Sequence, residues 1–75
     1  MTVGTIVALG EGARTSGFAL AGVLVRPAEE PAGVRAAWRA LPGDTALVIL
    51  TQAAAEALGP EVLDAPLPLT VVMPP

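Results

Sequence analysis

Short apolar runs rich in β-branched residues alternate along this chain with segments whose apolar positions follow helical spacing. The strand-like runs are residues 3–9, 23–25, 45–50 and 69–73, and they predict four β-strands. The first run is apolar on both faces, which is typical of a parallel strand covered on two sides. The pattern therefore predicts the order β-α-β-α-β-α-β in one domain spanning residues 1–75.

Capping residues and prolines mark the helices between these strands. The hydroxyl of Thr15 or Ser16 is expected to cap a first helix, which Gly22 ends in a left-handed conformation. Pro31 suits the first position of a second helix. Thr51 is expected to cap a third helix, with one further helical turn after it. Each predicted helix thus begins at a residue that favours a helix start.

The second predicted helix has one apolar face. Its apolar residues are spaced i, i+3, i+4 and i+7, and they are Val34, Ala37, Trp38 and Leu41. This spacing predicts the side that packs on the sheet and favours a core position for Trp38.

Consecutive parallel strands joined by right-handed crossovers give a definite fold class. We expect a small flavodoxin-like or Rossmann-like three-layer α/β sandwich, with four parallel strands in the order 2-1-3-4 and helices on both faces. In that order the switch point lies near residues 10–14 and near Thr51 and Gln52, and ligands of such folds bind at this point.

The amino-acid composition excludes most of the residue types on which catalytic and ligand-binding sites depend. The chain has no cysteine, histidine, lysine or tyrosine and a net charge of −3, so a nucleic-acid partner is not expected. General acid–base catalysis would fall to carboxylates. Glu11 and Asp44 lie at opposite ends of the predicted strands and should not converge. We therefore expect no catalytic residues, no metal site and no cofactor.

The glycine-rich turn after the first strand resembles a dinucleotide-binding loop only superficially. Gly10 and Gly12 have the required spacing, but the third glycine position holds Thr15. An acidic residue should end the second strand to bind the ribose, and Arg26 stands there instead. The sequence disfavours a dinucleotide site.

Another kind of phosphate-binding or phosphate-accepting site remains the alternative hypothesis. Gly12 and Gly17 have the spacing of a Walker loop, but Phe18 replaces its lysine. A phospho-receiver domain would need an aspartate where Thr51 ends the third strand, and of its acidic pair only Glu11 is present. The loop still leaves open a flavodoxin-like or receiver-like domain that binds a small ligand or takes part in phospho-signalling.

The chain also lacks signals for membrane insertion or export. No run approaches the roughly 18 to 20 apolar residues of a membrane span. No basic leader precedes an apolar stretch at the N-terminus. A cytoplasmic protein is the expectation.

Three blocks in the correct order resemble the F subunit of rotary V-type and archaeal A-type ATPases and ATP synthases. The third strand ends in Ile49-Leu50-Thr51, and the fourth runs from Pro68 to Pro74, as is usual in that family. The first block follows the first strand and is similar to the family's strand, acidic turn and Gly-Phe-x-Leu-Ala-Gly segment. It comprises Gly10, Glu11, Gly17, Phe18, Leu20, Ala21 and Gly22.

The resemblance implies a non-catalytic rotor subunit in the central stalk of a proton- or sodium-translocating ATPase, held peripherally at the membrane by the complex. Its implied partners are the coiled-coil D subunit and the catalytic A/B head, and in isolation a homo-oligomer is an alternative. Family members usually continue into a regulatory C-terminal helix. The resemblance leaves two expectations open for a chain that ends at Pro75: the helix has been removed, or the protein lacks that regulatory function. The residues expected to contact the partner are Glu11, Arg14, Thr15, Phe18, Thr51 and Gln52.

Overall fold

The computed structural model describes residues 4–75 and contains one all-parallel sheet. Its strands are β1 (Thr5–Gly10), β2 (Leu24–Pro27), β3 (Thr45–Leu50) and β4 (Leu69–Val72). They lie in the order β2-β1-β3-β4. This confirms the predicted fold class, a small α/β domain with a four-stranded parallel sheet and helices packed around it. Val3, the predicted start of the first strand, lies outside the described residues.

Five helical segments connect the strands. Between β1 and β2 the chain forms α1 (Gly12–Thr15) followed by a 3₁₀ helix (Ser16–Ala21). Helix α2 (Pro31–Arg39) joins β2 to β3. Two short helices, α3 (Gln52–Leu58) and α4 (Pro60–Leu63), precede β4.

The two faces of the sheet differ in how well they are covered. On the face that we call the covered face, α2 and α3 bury the side chains of the central strands completely, and Val34 and Ala54 pack there. The partly buried Ala37, Trp38 and Leu41 pack against the same core, which confirms the predicted apolar side of α2. On this face the buried strand residues are Val7, Leu9, Val48 and Leu50.

In residues 4–75, the opposite face, called here the open face, is covered by the short segment of α1 and the 3₁₀ helix. That segment packs against β1 and β2, at the side of the sheet away from β4. In strand register, Leu47 lies beside Leu69, and Ile49 lies beside Val71. Leu69 is 60% exposed and Val71 is 52% exposed. The half of this face formed by β3 and β4 is therefore an apolar surface with little cover.

The predicted cap of the first helix is wrong. Helix α1 begins directly after Glu11, so Thr15 lies four residues later within the helical segment. Its hydroxyl donates to the main-chain carbonyl of Glu11 at 3.1 Å, as threonines inside helices commonly do. Neither Thr15 nor Ser16 therefore supplies a side-chain cap.

The other predicted helix boundaries are confirmed. Gly22 ends the 3₁₀ helix with φ +80°, in the left-handed region. Pro31 is the first residue of α2. Thr51 caps α3, its side-chain oxygen accepting from the main-chain N–H of Ala54 at 3.2 Å. Pro31 and Thr51 thus begin helices just after β2 and β3, at the carboxyl ends of these strands.

Candidate functional site

Loops from three neighbouring strands meet at the carboxyl edge of the sheet. Strand β1 is followed by Glu11, β2 by Glu29 two residues after its end, and β3 by Thr51. Because β1 lies between β2 and β3, its loop can bond to both neighbours. We call residues 10–14, 28–30 and 51–52 the rim.

The side chains of Glu11 and Thr51 join the first loop to the third. The Thr51 hydroxyl donates a hydrogen bond to the Glu11 carboxylate. The same hydroxyl oxygen accepts from Ala54 at the start of α3, and the Thr51 main-chain N–H donates to the Leu9 carbonyl at 3.2 Å. One buried threonine therefore connects β1, its loop and α3.

Gly10 allows this close approach. Its φ is +151°, and a Cβ added there would lie 2.8 Å from the Cβ of Thr51, closer than atoms can pack. An L side chain at this position would be strained as well as obstructed. The glycine of the first turn thus serves packing between loops, which leaves its resemblance to a phosphate-binding glycine without support from the geometry.

Glu29 is a rim residue that sequence reasoning missed. Its Oε2 accepts from the main-chain N–H of Gly12 at 2.8 Å. Beside it, the Ala28 N–H donates to the Gly10 carbonyl at 2.8 Å. The predicted strand order places the loops after β1 and β2 side by side. An acidic residue just after β2 could therefore have been predicted to contact the loop after β1.

The hydrogen bond from Thr51 holds the pKa of Glu11 below its ordinary value. The main-chain N–H of Glu11 itself lowers this pKa further, partial burial raises it, and the positive charge of Arg14 lowers it. The hydrogen bonds and the nearby positive charge favour the ionised carboxylate. At neutral pH, Glu11 is therefore a charged acceptor that is already engaged by the protein's own hydroxyl.

Five of the six residues expected to contact a partner lie at this edge. Phe18 lies farther along the segment that leads away from the edge, where its carbonyl accepts from the Val23 N–H just before β2 at 3.3 Å. The six residues also differ in accessibility. Arg14 and Gln52 are exposed, and Glu11 and Phe18 are half-buried. The side chains of the other two, Thr15 and Thr51, are completely buried. Because their side chains are buried and their hydroxyls bond within the protein, these two threonines hold the rim together and are not accessible for direct contact with a partner.

The arrangement offers little to a small charged ligand. The Glu11 and Glu29 carboxylates accept hydrogen bonds from Thr51 and Gly12. Among residues 4–75, no three acidic, histidine or cysteine side chains are grouped so that they could hold a metal ion. Asp44 lies at the other end of the sheet, where it accepts from the Thr5 hydroxyl at 2.7 Å. The two carboxylates of Glu11 and Asp44 are therefore apart, as predicted.

An open groove of about 330 Å³ lies at the amino ends of β3 and β4. It is at the opposite end of the sheet from the rim. Its lining residues are Trp38, Leu41, Pro42, Gly43, Thr45, Leu67 and Pro68.

Comparisons of the chain with protein-family models, with curated proteins and with solved structures find no match. In the part of the chain that the structure describes, every helix falls short of the length and apolar character needed to cross a membrane.

Proposed function

We propose that this protein is a non-catalytic central-stalk subunit of a V-type or A-type rotary ATPase, similar to the F subunit, and that it binds the coiled-coil D subunit. The observation that carries the proposal is the exposure of Leu20, which is 96% accessible. This leucine belongs to the segment 17–22 that resembles the family's Gly-Phe-x-Leu-Ala-Gly block.

The fold itself makes no use of that leucine. Burying a leucine side chain stabilises a protein by about 1.5–3 kcal/mol, and Leu20 contributes almost none of this to the isolated domain. Phe18 in the same 3₁₀ helix is half-buried, and Gly22 fixes the end of that helix in a left-handed conformation. The exposed leucine is therefore available for burial in the apolar centre of a protein interface.

The rim supports a protein partner over a small ligand. A phosphate or nucleotide needs donors that are free to receive it, and the N–H of Gly12 already donates to Glu29. Thr51 is likewise bonded to Glu11. A rim closed by its own hydrogen bonds presents a fixed surface, bearing Arg14 and Gln52, that a helical partner can meet.

The open face supplies further apolar surface on the same molecule. Leu69 and Val71 of β4 and the 40% exposed Ile6 of β1 lie on it. A domain of 75 residues has little stability to spare, and binding to a partner adds to it. In the proposed role the domain braces the helical shaft and turns with it, while the ATP chemistry takes place in other subunits.

The experiment compares two leucine variants in binding to the purified D-subunit coiled coil of the same complex. Leu20→Asp is expected to weaken binding about tenfold or more, because a buried apolar contact is replaced by a charge. Leu67→Asp is the matched control, since Leu67 is 75% exposed and precedes β4 at the other edge of the sheet. Biolayer interferometry gives both dissociation constants. A wild-type chain that does not bind the coiled coil, or equal losses for the two variants, would contradict the proposal.

A further inference from the structure

The dipeptide Glu11-Gly12 is bonded from both sides of the rim. On the β3 side, its carboxylate accepts from the Thr51 hydroxyl. On the β2 side, its Gly12 N–H donates to Glu29 Oε2 at 2.8 Å. The Glu11 carbonyl also accepts from the N–H groups of Arg14 and Thr15, at 3.0 and 3.1 Å. The turn after β1 is therefore fixed by two side chains that come from different loops.

These two attachments differ in what they secure. Thr51 is completely buried and also caps α3, so its bond belongs to the folded core. Glu29 is exposed and precedes Glu30, the residue at the N-cap of α2, and its side chain accepts from Gly12 of the loop after β1. The Glu29 carboxylate accepts from a residue 17 positions earlier in the chain. This bond therefore constrains the shape of the loop after β1.

The amide that Glu29 holds is the first of α1. Helix α1 has four residues and leads into the 3₁₀ helix that carries Phe18 and Leu20. A helix this short is not stable by itself, so its orientation depends on the burial of Thr15 and on an anchor at its first residue. The bond to Glu29 supplies that anchor at the end nearest the rim.

We propose that Glu29 is a positioning residue, which fixes the turn after β1 and thereby the α1–3₁₀ segment in the conformation that the coiled-coil partner meets. This inference rests on the proposed function, because it assigns a role within the same binding surface. Glu29 acts by ordering the segment before the partner binds, because a segment that is already ordered loses less conformational freedom on binding.

The first test measures the positioning itself and needs no partner. Hydrogen exchange by NMR is followed at the Gly12 amide in wild type, Glu29→Ala, Glu29→Gln and Glu30→Ala. Glu29→Ala should speed exchange at Gly12 about tenfold. Glu29→Gln keeps an acceptor oxygen and should recover most of the protection. Glu30→Ala removes the same charge from the neighbouring exposed residue and should leave Gly12 unchanged.

The second test measures binding of the same four proteins to the D-subunit coiled coil. Glu29→Ala should weaken binding about threefold to tenfold, while Glu29→Gln and Glu30→Ala remain near wild type. Equal losses in all three variants would show a charge effect and overturn the inference. Unchanged exchange at Gly12 in Glu29→Ala would overturn it as well.

The two tests separate this inference from the proposed function. If the wild-type chain does not bind the coiled coil, the proposed function fails and the assigned role in binding fails with it. The exchange measurement still decides whether Glu29 holds the turn. If the wild-type chain binds and Glu29→Ala exchanges rapidly at Gly12 but binds normally, the proposed function stands and the positioning role is wrong.

Discussion

At the scale of single residues, a few side chains each carry several bonds. Thr51 donates to Glu11 and accepts from Ala54, and its neighbour Gly10 has no side chain to obstruct it. The cap at Thr51 was predictable because it involves residues three apart. The bond to Glu11 spans 40 positions and was not, since no local pattern encodes it.

Replacing Thr51 should test this double role. Thr51→Val keeps the shape but loses the cap and leaves the Glu11 carboxylate without its hydroxyl donor. We expect the free energy of unfolding to fall by about 1–3 kcal/mol, measured by urea denaturation. Thr51→Ser keeps the hydroxyl and should lose clearly less. Equal losses in the two variants would mean that methyl packing, and not hydrogen bonding, makes this residue important.

The same bond predicts a pH dependence. Since the pKa of Glu11 is lower in the folded state than in the unfolded chain, ionised Glu11 stabilises the fold at neutral pH. This contribution is lost as the pH falls through the lowered pKa of the folded state. Unfolding free energies measured between pH 6 and pH 3 should therefore drop more steeply in wild type than in Thr51→Val. Parallel pH profiles for the two proteins would contradict this account of Glu11.

At the scale of elements, sequence signals worked best where they were local. The run Thr45–Leu50 is the third strand as predicted, and Pro31 begins α2. The segment after β1 was predicted as one capped helix and instead forms α1 and a 3₁₀ helix. The reason is that α1 starts at once after Glu11, whose carbonyl and carboxylate are both bonded within the rim. Hydrogen bonds between loops that are distant in sequence thus determine where this helix begins.

The interface between α3 and the sheet offers a prediction for element packing. Ala54 is 1% exposed and lies in the core cluster, whereas Ala53 on the same helix is exposed. Ala54→Leu should destabilise the protein by about 1–3 kcal/mol through overpacking. Ala53→Leu adds the same side chain at an exposed position and should change stability by less than about 0.5 kcal/mol. Thermal unfolding of both variants gives the comparison, and a tolerated leucine at position 54 would show that the core has unfilled space there.

At the scale of the whole molecule, the chain is compact but unevenly covered. Its radius of gyration is 11.3 Å, close to the value of about 11 Å expected for 75 residues. The sheet order followed from the alternation of elements. The exposed half of the open face was not predicted. It arises because α1 and the 3₁₀ helix connect β1 to β2 and pack against those two strands, which leaves the β3–β4 half of that face exposed.

The proposed function and its alternative make opposite predictions about which molecule binds at the rim. A flavodoxin-like or receiver-like domain would bind a nucleotide, flavin or acyl phosphate beside Gly12. A stalk subunit would leave those compounds unbound and would bind the coiled coil through the rim and the segment 17–22. The backbone amides of Gly12, Phe18 and Leu20 report on both surfaces.

An NMR titration of the ¹⁵N-labelled chain tests this most directly, with the small molecules added first and the D-subunit coiled coil added afterwards. We predict that the small molecules leave the amide signals of Gly12, Phe18 and Leu20 in place, and that the coiled coil shifts or broadens them in a saturable manner. Saturable shifts at Gly12 with a nucleotide, flavin or acyl phosphate, together with no response to the coiled coil, would contradict the account.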